Sequence, residues 1–332
     1  MRKTVFAFFV ALLLVASTIS AEAREIKRYF HQSFDVEKGS ILHLRHGDGD
    51  VTITPWDKDV LDVEVRYRAE ARTFGIGGEH EFKVEFKETG SVVHVIGKET
   101  SSSSIGFHHY RLHEYTYTIR APEYLELTLD GDDGDVDIED WQGKIECTLE
   151  DGDVDLRNIV SPETNIDLED GDLRIDGLEG DLFVDGEDGD VVLRDAKTQQ
   201  CRIRLEDGDL TIRRSEGEFE INVEDGDVDL DRVRAEMLEV SAQDGDVEVD
   251  LLKVDRIDLD IRVYDGDVTV NLEPGTSAAF SIDTQDGRIR TDLPGTRDLE
   301  KGRDQVSGQI GTGEGRIYIG TVDGNVTLRE SR

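Results

Sequence analysis

The phrase Asp-Gly-Asp recurs along most of this chain of 332 residues, and an acidic residue precedes it in the copies from Gly134 to Gly226. Its glycines follow one another at intervals of 18 or 19 residues, at Gly134, Gly152, Gly171, Gly189, Gly208, Gly226 and Gly245. The phrase returns at Gly266, in weaker form at Gly287 and Gly324, and once far upstream at Gly49. A repeat this regular is typical of stacked, nearly identical structural units.

Apolar residues alternate with polar ones on both sides of each repeated glycine. Before Gly152 they are Leu149, Cys147 and Ile145, and after it they are Val154 and Leu156. A period of two is typical of a half-buried β-strand. Each repeat is therefore predicted to hold two short strands joined by Asp-Gly, a pair that suits a tight turn because glycine reaches positive φ without a Cβ clash.

The predicted fold class is all-β, a single-chain, β-helix-like solenoid with about 18–19 residues per coil. Constant spacing supplies a constant coil length, and stacked coils enclose their inward residues in one continuous core. A long antiparallel meander of hairpins, which Asp-Gly turns also allow, remains the alternative. The second connection of each coil, for example residues 157–164 or 195–200, varies in composition and is the predicted recognition surface.

Three segments are predicted along the chain. Residues 1–23 have the pattern of a secretory signal peptide, with Arg2 and Lys3, an apolar run too short to cross a bilayer, and small residues around Ala23. Residues 24–124 form a strand-rich N-terminal segment, and residues 125–332 form the Asp-Gly-Asp solenoid with a C-terminal cap. The mature chain is expected to be exported, periplasmic or extracellular, and to have no transmembrane segment.

The formal net charge of −38 is expected to repel nucleic acid and anionic lipid, which excludes both as direct partners. The two cysteines, Cys147 and Cys201, lie about three repeats apart, roughly 14 Å at the usual strand spacing and beyond disulfide reach. Both are predicted to be buried free thiols. The histidines, including His108, His109 and His113, are expected to be exposed or in loops and make a poor metal-ligand set.

Stacked turns would bring like charges into columns. At about 4.8 Å, two carboxylates repel by roughly 0.9 kcal/mol in water, which favours bound cations, and calcium prefers carboxylate oxygens. The candidate calcium ligands are Asp151, Asp153, Asp170, Asp172, Asp188, Asp190, Asp207, Asp209, Asp225 and Asp227. The Gly-Gly-x-Gly-x-Asp phrase of calcium-binding β-rolls is missing, so diffuse counterion binding and a purely structural turn remain the alternatives.

Several segments are similar to one known family. They are the opening Phe34-Asp-Val-Glu-Lys-Gly-Ser, the run Gly47-Asp-Gly-Asp-Val-Thr-Ile-Thr-Pro-Trp-Asp, the Asp-Gly-Asp-Val ladder, and the closing Gly308-Gln-Ile-Gly-Thr-Gly-Glu-Gly-Arg-Ile with Thr321-Val-Asp-Gly-Asn-Val. Together they resemble the bacterial "putative adhesin" family of β-strand-repeat domains of unknown function. The resemblance implies an exported or envelope-associated domain and supplies no catalytic residues.

The predicted function is a non-enzymatic, exported module of the envelope or cell surface that binds an unknown protein or glycan. The chain contains no Gly-x-Ser-x-Gly, His-Glu-x-x-His, phosphate-loop or dinucleotide motif, so no catalytic residue and no cofactor other than calcium is predicted. The first alternative is a calcium-dependent binding protein that uses the Asp-Gly-Asp turns. The second is a β-helical enzyme acting on glycans, and the oligomeric state is left open.

Overall fold

The computed structural model describes residues 24–76, 81–100 and 105–331, so the predicted signal peptide lies outside the described residues. Strands alternate buried and exposed side chains, as the period of two predicts, and the described residues contain no helix. Among them, accordingly, there is no helical segment of the length and apolarity needed to cross a membrane.

The described residues form 26 strands. The first seven are β1 (Arg24–Asp35), β2 (Ile41–Asp48), β3 (Asp50–Pro55), β4 (Val60–Ile76), β5 (Glu81–Thr89), β6 (Val92–Thr100) and β7 (Ile105–Ala121). The coils follow with β8 (Glu126–Asp133), β9 (Val136–Glu139), β10 (Ile145–Asp151), β11 (Val154–Asp170), β12 (Leu173–Asp188), β13 (Val191–Asp207), β14 (Leu210–Arg213), β15 (Glu216–Asp225) and β16 (Val228–Val233). The remaining strands are β17 (Met237–Asp244), β18 (Val247–Leu251), β19 (Asp258–Asp265), β20 (Val268–Leu272), β21 (Ala278–Asp286), β22 (Ile289–Asp292), β23 (Arg297–Lys301), β24 (Gln305–Ile310), β25 (Gly315–Asp323) and β26 (Val326–Glu330).

Consecutive coils pair in parallel and in register, which confirms the solenoid and excludes the meander of hairpins. Strand segments that precede the repeated glycine stack into one sheet, here called sheet A, as in β8 to β10 and β15 to β17. Segments that follow the glycine stack into sheet B, as in β14 to β16 and β16 to β18. The inward side chains of both sheets form one continuous hydrophobic core.

The second connection of each coil is ordered as a short third side. After sheet B the chain turns at a residue with positive φ, such as Asn158 (55°) or Asp195 (53°). Ile159 then pairs with Leu178, and the register shifts between Val160 and Glu163 before the chain returns to sheet A. The variable residues predicted as loops are therefore largely β-paired corners and bulges, which accommodate 18 or 19 residues in the same coil.

The N-terminal strands extend both sheets. Strands β1, β4 and β7 pair antiparallel, and β7 joins sheet B through parallel pairing with β3. The β5–β6 hairpin joins sheet A through parallel pairing of β6 with β2. The first Asp-Gly-Asp coil, β2–β3, stacks directly on β8 and β9.

The order of coils at the other end departs from the order along the chain. The last strands, β25 and β26, lie between the coil of β19–β20 and the coil of β21–β22, with parallel pairing on both sides. The antiparallel strands β24 and β23 then pair beyond β21 and close this end of sheet A. The final segment of the sequence is thus an internal coil of the stack.

Candidate functional site

The corner at the repeated glycines, here called the acidic edge, runs the length of the solenoid. Each glycine contacts the glycine of the preceding coil so closely that a Cβ on Gly208 would lie 2.1 Å from the Gly189 carbonyl oxygen. The φ angle of Gly208 is +136°, which a residue with a side chain rarely adopts. Glycine is therefore required here for close stacking as well as for the turn.

The aspartate after each repeated glycine has a direct bonding role. Its Oδ1 accepts a hydrogen bond from the backbone N–H of the corresponding aspartate in the next coil, at 3.0 Å from Asp153 to Asp172 and 2.9 Å from Asp209 to Asp227. The same bond recurs from Asp50 to the end of the ladder, with distances of 2.7 to 3.4 Å. The acceptors of this aspartate ladder are Asp50, Asp135, Asp153, Asp172, Asp190, Asp209, Asp227, Asp246 and Asp267.

Two positions at the end of the ladder are not occupied by aspartate. Asn325 ends it as a donor to Asp267, so an uncharged residue occupies the ladder position there. In the outermost coil, Arg288 occupies the ladder position. No further described strand of sheet B lies beyond it, so no backbone N–H needs an acceptor there. The ladder thus accounts for five of the ten predicted calcium ligands, Asp153, Asp172, Asp190, Asp209 and Asp227, without a cation.

The aspartates before the glycine form a second, exposed column. Its predicted calcium ligands, Asp151, Asp170, Asp188, Asp207 and Asp225, are all solvent-exposed, and their backbone carbonyls accept from the glycine N–H of the preceding coil. Desolvation, followed by the charges of Asp170 and Asp207, raises the pKa of Asp188 above its ordinary value. The column therefore carries the like-charge repulsion that the sequence predicts.

The predicted calcium ligands do not converge. Within the described part of the chain, the only three potential ligand atoms found all within 4.8 Å of one another belong to His31, Asp62 and Glu64. The assignment of calcium to the acidic edge stays a prediction, and the ladder gives the turn aspartates a structural role that does not depend on it.

The His31–Asp62–Glu64 cluster is an internal ion-pair network. Asp62 Oδ1 accepts from the Ser33 hydroxyl and lies 2.7 Å from His31 Nε2, while the Arg120 guanidinium donates to Asp62 Oδ2 at 2.9 Å. Although desolvation opposes it, hydrogen bonds from these three groups hold the pKa of Asp62 below its usual value. Arg120 already supplies the positive charge, and the network fixes β1, β4 and β7 to one another.

The predicted burial of both cysteines is confirmed. Cys147 and Cys201 are free and buried, and desolvation raises the pKa of each thiol to about 12. They pack as small apolar residues on the inward face of sheet A and have no reactive character.

One histidine contradicts the expectation that the histidines are exposed or in loops. His46 is 1% exposed, lies on β2, and occupies the inward position three residues before Gly49, where later coils place Leu149 or Leu205. Neither ring nitrogen has a hydrogen-bond partner, and burial lowers its pKa to about 4. The repeat register carries the signal that could have identified it as a core residue. His113 is exposed, and the side chains of His108 and His109 lie outside the described residues.

A depression on the outer face of sheet A forms the main concave surface found. Its central part has a volume of about 740 Å³, and it adjoins a second depression of about 610 Å³ through Arg262, Val263 and Val322. A third, of about 260 Å³, adjoins the first through Asp185 and Arg204. We call this series the lateral trough; it runs from the coil of Glu146 to the coil of Gln285, roughly 40 Å at the usual strand spacing.

The trough arises where short outward side chains lie among longer ones. The position four residues before the repeated glycine is Arg204 in one coil, then Asn222 and Ser241 in the next two, Arg262 in the coil of β19 and Gly320 in the coil of β25. These short residues form the floor between longer neighbours. The trough lies on the face of sheet A beside the acidic edge, whereas a smaller depression of about 220 Å³ includes Gln200 of the variable third side.

This geometry defines a class of protein: an all-β solenoid with stacked glycine corners and an aspartate ladder. The chain belongs to the Toastrack DUF4097 family, whose model matches residues 40–212 and again residues 179–329. The match agrees with the resemblance in placing the chain among domains of unknown function.

Three solved bacterial structures show a distant similarity to the chain. A "putative adhesin" from Bacteroides fragilis shares 13% identity over 92% of this chain and 97% of its own, with a TM-score of 0.36. A "putative adhesin" from Parabacteroides distasonis shares 11% over 92% and 97%, with a TM-score of 0.31. A "putative cell adhesion protein" from Clostridium sporogenes shares 11% over 92% and 100%, with a TM-score of 0.21. No curated protein matches the chain.

Proposed function

We propose that the protein is an exported, non-enzymatic interaction module of the cell envelope or cell surface, and that the lateral trough is its recognition surface. The observation that carries this proposal is the contrast between an acidic edge that repeats from coil to coil and the neighbouring trough, whose floor residues differ between the coils of Arg204, Asn222 and Ser241. Residues that stabilise a repeat must recur in each coil, whereas residues that recognise a partner are free to differ.

The size of the trough supports a binding role. Its two larger parts, of about 740 and 610 Å³, each fall within the range of about 300–1,000 Å³ that is usual for ligand sites. Tyr264 lines the wall of the trough and is 61% exposed, so it does not pack in the core. Exposed aromatic residues in concave surfaces are typical of recognition sites.

The arrangement of carboxylates supports a non-enzymatic role. Catalytic acid pairs need two carboxyl groups in different environments, so that one is protonated while the other is ionised. The outward glutamates two residues before the glycine repeat at the same place in five consecutive coils, as Glu150, Glu169, Glu187, Glu206 and Glu224. All five are solvent-exposed, so burial sets none of them apart as a protonated acid.

The export part of the proposal rests on the signal-peptide pattern of residues 1–23 and on the adhesin-like family. Fractionation of the source organism, followed by N-terminal sequencing of the isolated protein, tests it. The expected result is a chain beginning after Ala23 in the envelope or the medium. A cytoplasmic, uncleaved chain would contradict export.

The binding part is tested by cosedimentation of the purified mature protein with envelopes of the source organism. The wild-type protein is expected to sediment with them, and the variant Ser241→Arg, which fills the floor of the trough, is expected to remain in solution. Arginine already occupies the corresponding position in the coils of Arg204 and Arg262, so this variant is compatible with the fold. Equal sedimentation of both proteins would remove the trough from the proposal.

A further inference from the structure

A ligand in the trough can bind only side chains, because the backbone of the floor is already hydrogen-bonded between strands. Strands β15, β17 and β19 pair with one another in continuous parallel register across its floor. Extended peptides that bind to sheets gain affinity from main-chain hydrogen bonds at an open edge. The trough lies on a face, not at an edge, so a polypeptide lying in it would lack that source of affinity.

The charge along the trough wall changes abruptly. The position two residues before the repeated glycine is glutamate from Glu150 to Glu224, and in the last four coils of the stack it becomes Gln243, Tyr264, Val322 and Gln285. A chain with a net charge of −38 repels polyanions such as nucleic acids and acidic polysaccharides. The charged residues that line the C-terminal depression are of both signs, Arg262 and Arg303 with Asp283 and Asp304, and nearly balance one another. The part of the trough that lacks the glutamate column therefore has little net charge and suits an uncharged ligand.

The side chains of this part suit a polyhydroxylated ligand. Asn222, Ser241 and Gln243 present amide and hydroxyl groups that both donate and accept hydrogen bonds. Tyr264 offers an exposed aromatic face for the apolar side of a sugar ring. The Arg262 guanidinium lies 5.7 Å from the centre of the Tyr318 ring. This cation–π contact places a second aromatic ring, Tyr318, and the guanidinium N–H donors of Arg262 beside the trough.

We infer that the C-terminal part of the lateral trough binds an uncharged glycan chain that lies along the solenoid axis, with Tyr264 as the stacking residue. The inference rests on the proposed function and names the ligand class for the same surface. A polymer fits better than a single sugar because the depressions around Ser241 and Thr321 form one continuous surface.

The test is isothermal titration of the mature protein with four soluble probes. Dextran, laminarin and galactomannan represent uncharged glycans, and polygalacturonate represents an acidic one. At least one uncharged polymer is expected to give saturable binding. Tyr264→Ala should weaken that binding by about fivefold or more because the stacking surface is lost, and Ser241→Arg should abolish it. Tyr29→Ala is the matched control, because Tyr29 is 59% exposed on β1, outside the trough.

The inference is overturned if no uncharged polymer binds the folded protein, if only polygalacturonate binds, or if Tyr264→Ala and Tyr29→Ala bind alike. Immobilised gelatin serves as a polypeptide probe, and binding to gelatin alone would assign the trough to a protein partner. If Ser241→Arg abolishes envelope cosedimentation while no uncharged glycan binds, the proposed function survives and the ligand class is wrong. If cosedimentation also fails, the proposed function fails with it.

Discussion

The acidic edge and the lateral trough lie side by side on the same coils, yet they tolerate change very differently. At the edge, each glycine touches the glycine of the neighbouring coil, and each ladder aspartate bonds the next, so one altered residue disturbs two interfaces. In the trough, outward side chains such as Asn222 and Ser241 contribute little to the stack. The comparison teaches that the residues repeated in every coil of a solenoid stabilise the stack, whereas the varied residues beside them are free to contact a partner.

The largest effect is expected at the glycine column. Gly208→Ala places a Cβ 2.1 Å from the Gly189 carbonyl oxygen at a φ of +136°, and should lower the free energy of unfolding by about 3 kcal/mol or more. Gly47→Ala is the matched control, because the nearest atom to its Cβ would be 3.6 Å away. Urea denaturation of both variants measures the difference. Equal, small losses of unfolding free energy in the two variants would contradict the structural role of the glycine column.

The stability of the N-terminal coil is expected to depend on pH, because the buried His46 lies behind the first turn of the acidic edge. Burial lowers the pKa of His46 from 6.5 to about 4, although nearby Asp132, Asp130 and Asp50 oppose the shift. The unfolded chain takes up the proton below pH 6.5, and the folded chain only near pH 4. The stability linked to His46 is therefore complete above pH 6.5 and declines, by on the order of 3 kcal/mol, as the pH falls to about 4.

The variant His46→Leu isolates this contribution, since leucine occupies the same inward position in later coils. Unfolding free energies measured at pH 7 and pH 4.5 should differ less in the variant than in the wild-type protein. An identical pH dependence would mean that His46 is not buried in its neutral form.

The ladder is expected to depend on the acceptor oxygen and not on the charge. Asp209→Ala leaves the Asp227 N–H without its 2.9 Å partner and should cost about 1 kcal/mol. Asp209→Asn keeps a side-chain oxygen that can accept from the Asp227 N–H, and should remain within about 0.5 kcal/mol of wild type. Thermal unfolding of the two variants measures this, and an equal loss in both would indicate that the carboxylate charge itself is required.

The smallest effect is expected in the exposed column. Desolvation and its neighbours Asp170 and Asp207 raise the pKa of Asp188, so the ionised form is disfavoured in the folded chain. Asp188→Asn should therefore slightly raise the unfolding midpoint at pH 7, and the advantage should fade as the pH falls through the raised pKa and the native aspartate takes up its proton. A lower midpoint at pH 7 would point instead to a favourable role for this carboxylate.

Much of the fold was predictable because the repeat is local. The 18- or 19-residue period and the alternation around each glycine predicted two parallel stacked strands per coil, and the pairing of β15 with β17 confirms them. The insertion of β25–β26 between two earlier coils was not predictable, because the phrases at Gly287 and Gly324 are equally weak and pairing order depends on long-range contacts.

The candidate site was predictable only in part. The loss of the glutamate column at Gln243 and Tyr264 is visible in the sequence, but the depth of the trough depends on side chains from adjacent coils. The connections chosen from the sequence as the recognition surface proved to be mostly paired, because a β-bulge absorbs their length differences. The ladder also escaped prediction, since its bonds join residues at least 18 positions apart in the sequence.

The claim that the acidic edge builds the solenoid and is not itself a binding site is tested most directly by thermal unfolding with millimolar calcium, compared with magnesium and with sodium chloride at equal ionic strength. The account predicts the same small rise in midpoint in all three, because salt screens the exposed carboxylates. A large, saturable rise specific to calcium, lost in Asp209→Asn, would contradict it and make the edge a binding site.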